Sequence, residues 1–221
     1  MCGRFTLILE PDEIQETLGL GEMPAVYAPR YNIAPTQPVA VVTDGIKRDV
    51  TFMRWGLVPG WAKDISIGAR LINARAETIQ EKPSFRNAFA RRRCLILADG
   101  FYEWKKQPKG PSIPFYIYLH DHKPFTFAGL WEHWQSPEGH ELNTCTIITC
   151  SPNDLMADIH DRMPVILDQT VGQNWLKNDF SAAQLRQCLV PFPAENMEMH
   201  PVSRLVNNAV IEGPDLIAPL N

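Results

Sequence analysis

A chain of 221 residues with 45% hydrophobic content is long enough to bury a sizeable core, and its length suits one domain as readily as two. It has no run of about 18 uninterrupted apolar residues, and its start, Met-Cys-Gly-Arg-Phe-Thr, lacks a signal-peptide pattern, so a cytoplasmic protein that does not enter a membrane is expected. A net charge of −4 argues against indiscriminate nucleic-acid binding, and five cysteines without a Cys-x-x-Cys pair suggest neither a disulfide framework nor a zinc site.

The first chemical feature is at the start of the chain. Removal of Met1 would leave Cys2 with a free α-amine and a thiol on adjacent carbons. Reference pKa values of about 7.7–8.0 for the amine and about 8.5 for the thiol leave both partly deprotonated near neutrality. Such an amine condenses with an aldehyde, and the thiol can close a five-membered thiazolidine onto the same carbon. The plainer alternative is that Cys2 simply follows the start codon.

Pro11 to Leu18 predicts a short helix, with proline in its first turn, Asp12 and Glu13 at the positive end of the dipole and Gly19 ending it. Val39 to Thr43 and Arg48 to Arg54 flank Asp44-Gly45, a strong hairpin-turn signal. Ser84 to Ala90 reads as a short helix, Ser151-Pro152-Asn153-Asp154 as a helix start, and Ser181 as the cap of Ala182–Cys188. Further strands are expected at Arg93–Ala98, Phe115–His120, Pro124–Leu130, Asn143–Thr149 and Val165–Leu167. Many short strands with few helices predict an α+β fold, mostly antiparallel, with a barrel-like core and a few short peripheral helices. No Gly-rich phosphate loop or βαβ alternation is visible, which speaks against a nucleotide-binding α/β enzyme.

Some segments have a residue mix that a core alone does not require. In Leu71-Ile72-Asn73-Ala74-Arg75-Ala76-Glu77, alternation places Asn73 and Arg75 on one face of a strand. In Ala98-Asp99-Gly100-Phe101-Tyr102-Glu103-Trp104 a carboxylate sits between two aromatics; burial would raise the Glu103 pKa, whereas an edge strand would leave it exposed. Asp158-Ile159-His160-Asp161-Arg162-Met163-Pro164 joins a short helix to a strand and sets one imidazole among carboxylates and an arginine, a proton-transfer group or a structural histidine. Tyr31 to Gln37 and Trp55 to Trp61 hold aromatics in turn-rich contexts, suited to loop packing or to stacking on bases. From Lys82 to Lys109 basic residues outnumber acidic ones, which predicts either a basic patch or a solvated helix end followed by a solvated hairpin.

Met-Cys-Gly-Arg-Phe at the start, Tyr31-Asn32-Ile33-Ala34-Pro35, Trp55-Gly56-Leu57-Val58-Pro59, Ile72 to Glu77, Ala98 to Trp104, Ile159 to Pro164 and His200-Pro201-Val202-Ser203 together resemble the SOS response-associated peptidase family. The resemblance runs from residue 1 to beyond residue 200. It implies a single domain over residues 1–221 around a barrel-like antiparallel sheet, and a monomer that senses abasic sites in single-stranded DNA. It further implies that Cys2, once Met1 is gone, forms a thiazolidine crosslink to the sugar aldehyde. Glu103 and His160 match the family's catalytic glutamate and histidine, and Asn73 matches a position that contacts the abasic site. Arg4 and Arg75 match positions lining the DNA channel, with Arg162 a further candidate for phosphate contact. Trp55, Pro59, Trp61 and Trp104 are candidates to wedge or stack against bases. The family name itself keeps open a cysteine autopeptidase with Cys2 as nucleophile, and a noncovalent single-strand binding module is a third reading. No metal or organic cofactor is called for. The expected setting is the cytoplasm, with association to the nucleoid when DNA is bound.

Overall fold

The computed structural model describes residues 2–45 and 47–220, so the expected loss of Met1 concerns a residue outside those described. In chain order the elements are β1 (Phe5–Leu7), α1 (Pro11–Leu18), β2 (Arg30–Ile33), β3 (Pro38–Thr43), β4 (Thr51–Trp55), β5 (Asn73–Arg75), α2 (Arg86–Arg91), β6 (Arg93–Ala98), β7 (Gly100–Lys105), β8 (Ile113–Leu119) and β9 (Phe125–Gln135). They continue with β10 (Glu141–Cys150), α3 (Asp154–Ala157), β11 (Met163–Pro164), β12 (Ile166–Leu167), α4 (Gln169–Leu176), α5 (Ala182–Gln187) and β13 (Met197–Pro201).

Strands β10, β4, β3, β6 and β9 pair in that order, and β9 pairs back onto β10, which closes a five-stranded barrel. A ring of five strands cannot alternate direction all the way round. One neighbouring pair must run parallel, and it is β10 with β4, through Thr144 opposite Arg54 and Cys145 opposite Trp55. Farther along β10, β5 takes over the same edge, again parallel, with Ile147 opposite Asn73. The fold is thus mostly antiparallel, as expected, with parallel pairing confined to these two contacts; short turns dictate the sense of hairpins but not of a closing seam.

A second, antiparallel sheet runs β13-β8-β7-β1-β2. The chain passes from barrel to second sheet at Asp99, between β6 and β7. Side chains from both sheets meet in one core, where Phe5 of β1 packs edge-on to Trp55 of β4 and to Phe127 of β9. Such edge-to-face pairs add roughly 0.5–1.5 kcal/mol beyond the area they bury.

Local signals explain the helices. Gly19 ends α1 in the left-handed region at φ 62, where a side chain would be strained. Ser181 and Gln184 form a reciprocal capping box on α5, and Asn153, rather than Ser151, caps α3. The hairpin around Asp44-Gly45 is longer than a two-residue turn: β3 ends at Thr43, β4 begins at Thr51, and they pair only from Val41 opposite Thr51 outward. The basic run from Lys82 to Lys109 does not form one patch. Arg93 is buried and donates to the carbonyls of Trp175, Phe89, Ala90 and Lys177, while Arg92 pairs with Glu132. Among the described residues no helix is long and apolar enough to cross a membrane.

Candidate active site at the N-terminal cysteine

Cys2 is placed by the short strand that follows it. β1 pairs with β7 through Phe5 opposite Phe101 and Thr6 opposite Gly100, and the Tyr102 N–H donates to the Arg4 carbonyl at 2.9 Å. Extending that register backward carries the chain start past Glu103, the one carboxylate of β7. Gly100 is required at the crossing because a Cβ there would lie 2.2 Å from the Tyr116 hydroxyl.

Asp99 secures this arrangement. Its carboxylate accepts from the Thr6 hydroxyl, at the irregular register of β1 against β2, and from the backbone N–H groups of Ile8 and Leu9 just after the strand. Neither Thr6 nor Asp99 was assigned a role from sequence. The available signal was a carboxylate at an otherwise apolar strand junction, which has to find donors when buried.

The second wall of the site comes from the barrel seam. β10 carries β5 on one edge and β11 on the other, so Asn73 and the loop holding His160 and Arg162 converge at the carboxyl end of β10. Asn73 Nδ2 donates to the Cys2 carbonyl at 2.8 Å. Asn73 Oδ1 is buried and has no hydrogen-bond partner among the described residues. An acceptor in that state fits a hydroxyl brought by a ligand.

The electrostatics tie Cys2, Glu103 and His160 together. Burial pushes the Cys2 thiol well above the usual range for cysteine, and the neighbouring Glu103 charge adds to the effect. Burial also raises the Glu103 carboxyl, opposed by the charge of His160. Glu103 is therefore interior, not on an exposed edge, because β7 is flanked by β1 and β8. His160 Nδ1 accepts from the Arg162 backbone N–H at 3.0 Å and lies 2.9 Å from Asp161 Oδ1. Cys2, Asn73, Glu103 and His160 thus occupy one site.

The residues expected to hold DNA are more dispersed. Arg75 is exposed at the end of β5. Arg4 points into the protein, donating to Asn32 Oδ1 and to the Val206 carbonyl, where it fastens the C-terminal segment to β2. Arg162 forks onto Glu77 at 2.6 and 2.9 Å and also donates to the Thr149 carbonyl at 2.6 Å. Trp55 is wholly buried and donates its indole N–H to the Ile72 carbonyl, and Pro59 is buried, so both belong to the core in this structure. Trp61 is 62% exposed. Trp104 is half-buried, next to Glu103, with its indole N–H on Asn207. Glu77 had gone unassigned, although the alternation that pairs Asn73 with Arg75 extends to it. All five cysteines are free, and no group of His, Cys, Asp and Glu among the described residues is arranged to hold a metal.

The site is a cysteine at the second position, tied through its carbonyl to an asparagine and set beside a buried glutamate and a histidine. Residues 1–209 match the model of the SOS response associated peptidase (SRAP) family. The chain belongs to this family. It is 48% identical over 221 residues to the abasic site processing protein YoqW of Bacillus subtilis, covering 98% of this chain and 99% of that one. It is 32% identical over 270 residues to the abasic site processing protein HMCES of Rattus norvegicus, covering 99% of this chain and 76% of that one. A crystal structure of a protein from Bacteroides thetaiotaomicron superposes with a TM-score of 0.90 at 27% identity, over the full length of both chains.

Proposed function

We propose that this protein handles abasic sites in single-stranded DNA by joining its processed N-terminus to the lesion as a thiazolidine. The observation that carries this reading is the environment of Cys2: its carbonyl held by Asn73 and its thiol close enough to Glu103 to feel the carboxylate charge. Relatives named for abasic site processing support the choice of lesion.

An abasic deoxyribose is mostly a closed hemiacetal, so an acid must help open it. Glu103, whose carboxyl is raised by burial, holds a proton to higher pH than a surface glutamate and can give it to the ring oxygen. Loss of Met1 converts the Cys2 nitrogen from an amide to an amine, which attacks C1′ and, with expulsion of one water, forms the imine. The thiol then adds across the C=N bond, sulfur to C1′ and proton to nitrogen. The raised thiol pKa fits this order, because a thiol that stays protonated leaves the amine as first nucleophile. Ring closure removes the iminium that would otherwise promote β-elimination and strand scission. His160 relays protons during imine formation and its reversal, and Asn73 Oδ1 accepts from a sugar hydroxyl.

Arg75 contacts backbone phosphate, and Trp61 and Trp104 offer faces for neighbouring bases. An autopeptidase would need a thiolate at Cys2, which burial and the Glu103 charge both oppose. The test is intact mass of the protein alone and after incubation with abasic single-stranded DNA. The expected product lacks Met1 and has gained the oligonucleotide less one water. A mass unchanged by the DNA would overturn the proposal.

A further inference from the structure

His160 Nδ1 has two neighbours with opposite demands. The Arg162 backbone N–H donates to it at 3.0 Å, and Asp161 Oδ1 stands 2.9 Å away. The first contact needs a bare Nδ1, with the ring proton on Nε2; the second needs the proton on Nδ1. The two neighbours differ in how firmly they are held. The Asp161 side chain is 89% exposed, so water competes for its oxygens and screens its charge. The Arg162 side chain is 13% exposed and fixed at its far end, by the two-pronged bond to Glu77 and by the Thr149 carbonyl of β10. The Arg162 fork holds the Glu77 carboxyl below the usual glutamate range, so Glu77 is ionised near neutrality. That anchor ties the loop after α3 to the β5 and β10 edge and keeps its backbone N–H directed at the imidazole.

We infer that Glu77 and Arg162 are positioning residues that hold neutral His160 as its Nε2–H tautomer, so that the ring presents a donor to the site. The inference rests on the proton-relay reading of His160 and adds what sets the state of the relay. Nε2 lies on the ring edge opposite the loop contact, and the charge of His160 acts on Glu103, so the tautomer decides whether the imidazole offers that side a proton or a lone pair. In this arrangement Arg162 uses both terminal nitrogens to brace the loop.

The tautomer can be read without DNA, from long-range 1H–15N correlations of His160 in the full chain at a pH where the ring is neutral. The native protein should show a protonated Nε2 and a bare Nδ1. Glu77→Ala should raise the Nδ1–H population several-fold, and Glu77→Gln, which keeps one acceptor oxygen, should fall between. Glu77 lies at the surface, so neither change threatens folding, and a thermal melt checks this. In adduct formation and reversal, Glu77→Ala should displace the pH profile without lowering the salt dependence of single-strand binding. A native Nδ1–H ring would overturn the inference, as would a tautomer unmoved in Glu77→Ala. So would Arg162→Gln with a native tautomer and a salt slope reduced by about 0.7, the signature of one lost phosphate contact. If native protein forms no adduct at all, the proposed function fails, and the spectrum still decides the clamp.

Discussion

Asp99 and Glu103 are both interior, 3% and 2% exposed, and both lie on the stretch that leads from the barrel into the second sheet. Burial raises the pKa of each. They differ in what surrounds them. Asp99 is met by one hydroxyl and two backbone N–H groups, donors with no proton to exchange near neutrality, and it fixes the strand that carries Cys2. Glu103 accepts from the Trp104 backbone N–H, but it also feels the charge of His160 and exerts its own on the Cys2 thiol. Equal burial therefore gives two different settings, a fastener at Asp99 and, at Glu103, one suited to the proposed acid. The nature of the neighbours, more than the depth, separates them.

The largest expected effect lies on the chemical side of that divide. Cys2→Ala should abolish adduct formation, and Cys2→Ser should leave only a labile imine with increased strand cleavage, as seen on denaturing gels. A heat-stable Cys2→Ala adduct formed at the native rate would remove the chemistry from this site. Next, Glu103→Gln should fold and bind DNA normally yet form the adduct about 10²–10⁴-fold more slowly, the contribution of a positioned acid or base. Rates measured across pH, beside a melt and a binding isotherm, test this; a native rate throughout would make Glu103 a second fastener.

Asp99→Ala should act mainly on stability. It takes the acceptor from the part-buried backbone N–H groups of Ile8 and Leu9, just after β1, at about 1–3 kcal/mol for each group left without a partner, which denaturant titration would read as a lower midpoint. The pH dependence carries a definite sign. Because the folded-state pKa of Asp99 is raised, its favourable contribution is full below the unfolded value of about 3.9 and is lost as pH rises through the folded value. Asp99→Asn should remove that slope from midpoints measured over the acid range. If it instead slowed the adduct as much as Glu103→Gln without loss of stability, the contrast between the two carboxylates would collapse. The smallest effect belongs to Arg75→Ala, expected to weaken single-strand binding evenly across sequences and to lower the salt slope by about 0.7. An unchanged slope in salt titrations would take Arg75 out of the DNA path.

Elements whose signals are local were legible in advance. α1 begins on Pro11 and ends on Gly19, α5 has its capping box in four consecutive residues, and β6 spans the predicted Arg93–Ala98. β7 was not anticipated as a strand, because it is covered on both faces at Phe101, Tyr102 and Glu103 and so shows no alternation. β1, β2 and β13 are short, and their pairing partners lie far away in sequence. The motif residues of the site were visible as types, while their roles depended on neighbours: Trp55 and Pro59 sit in the core, and Arg4 and Arg162 make hydrogen bonds within the protein.

Local chemistry in the chain thus specified the helix ends, most of the barrel strands, and the reactive pair latent in Cys2. The closing of five strands with one parallel seam was decided only in three dimensions, because an odd ring must break alternation somewhere and no turn encodes where. That seam brings Asn73 and the His160 loop to the end of β10, while Asp99 holds β1 so that Cys2 reaches them. Proton affinity at Glu103 and at the Cys2 thiol follows from this assembly, since desolvation and neighbouring charge exist only once distant segments have met.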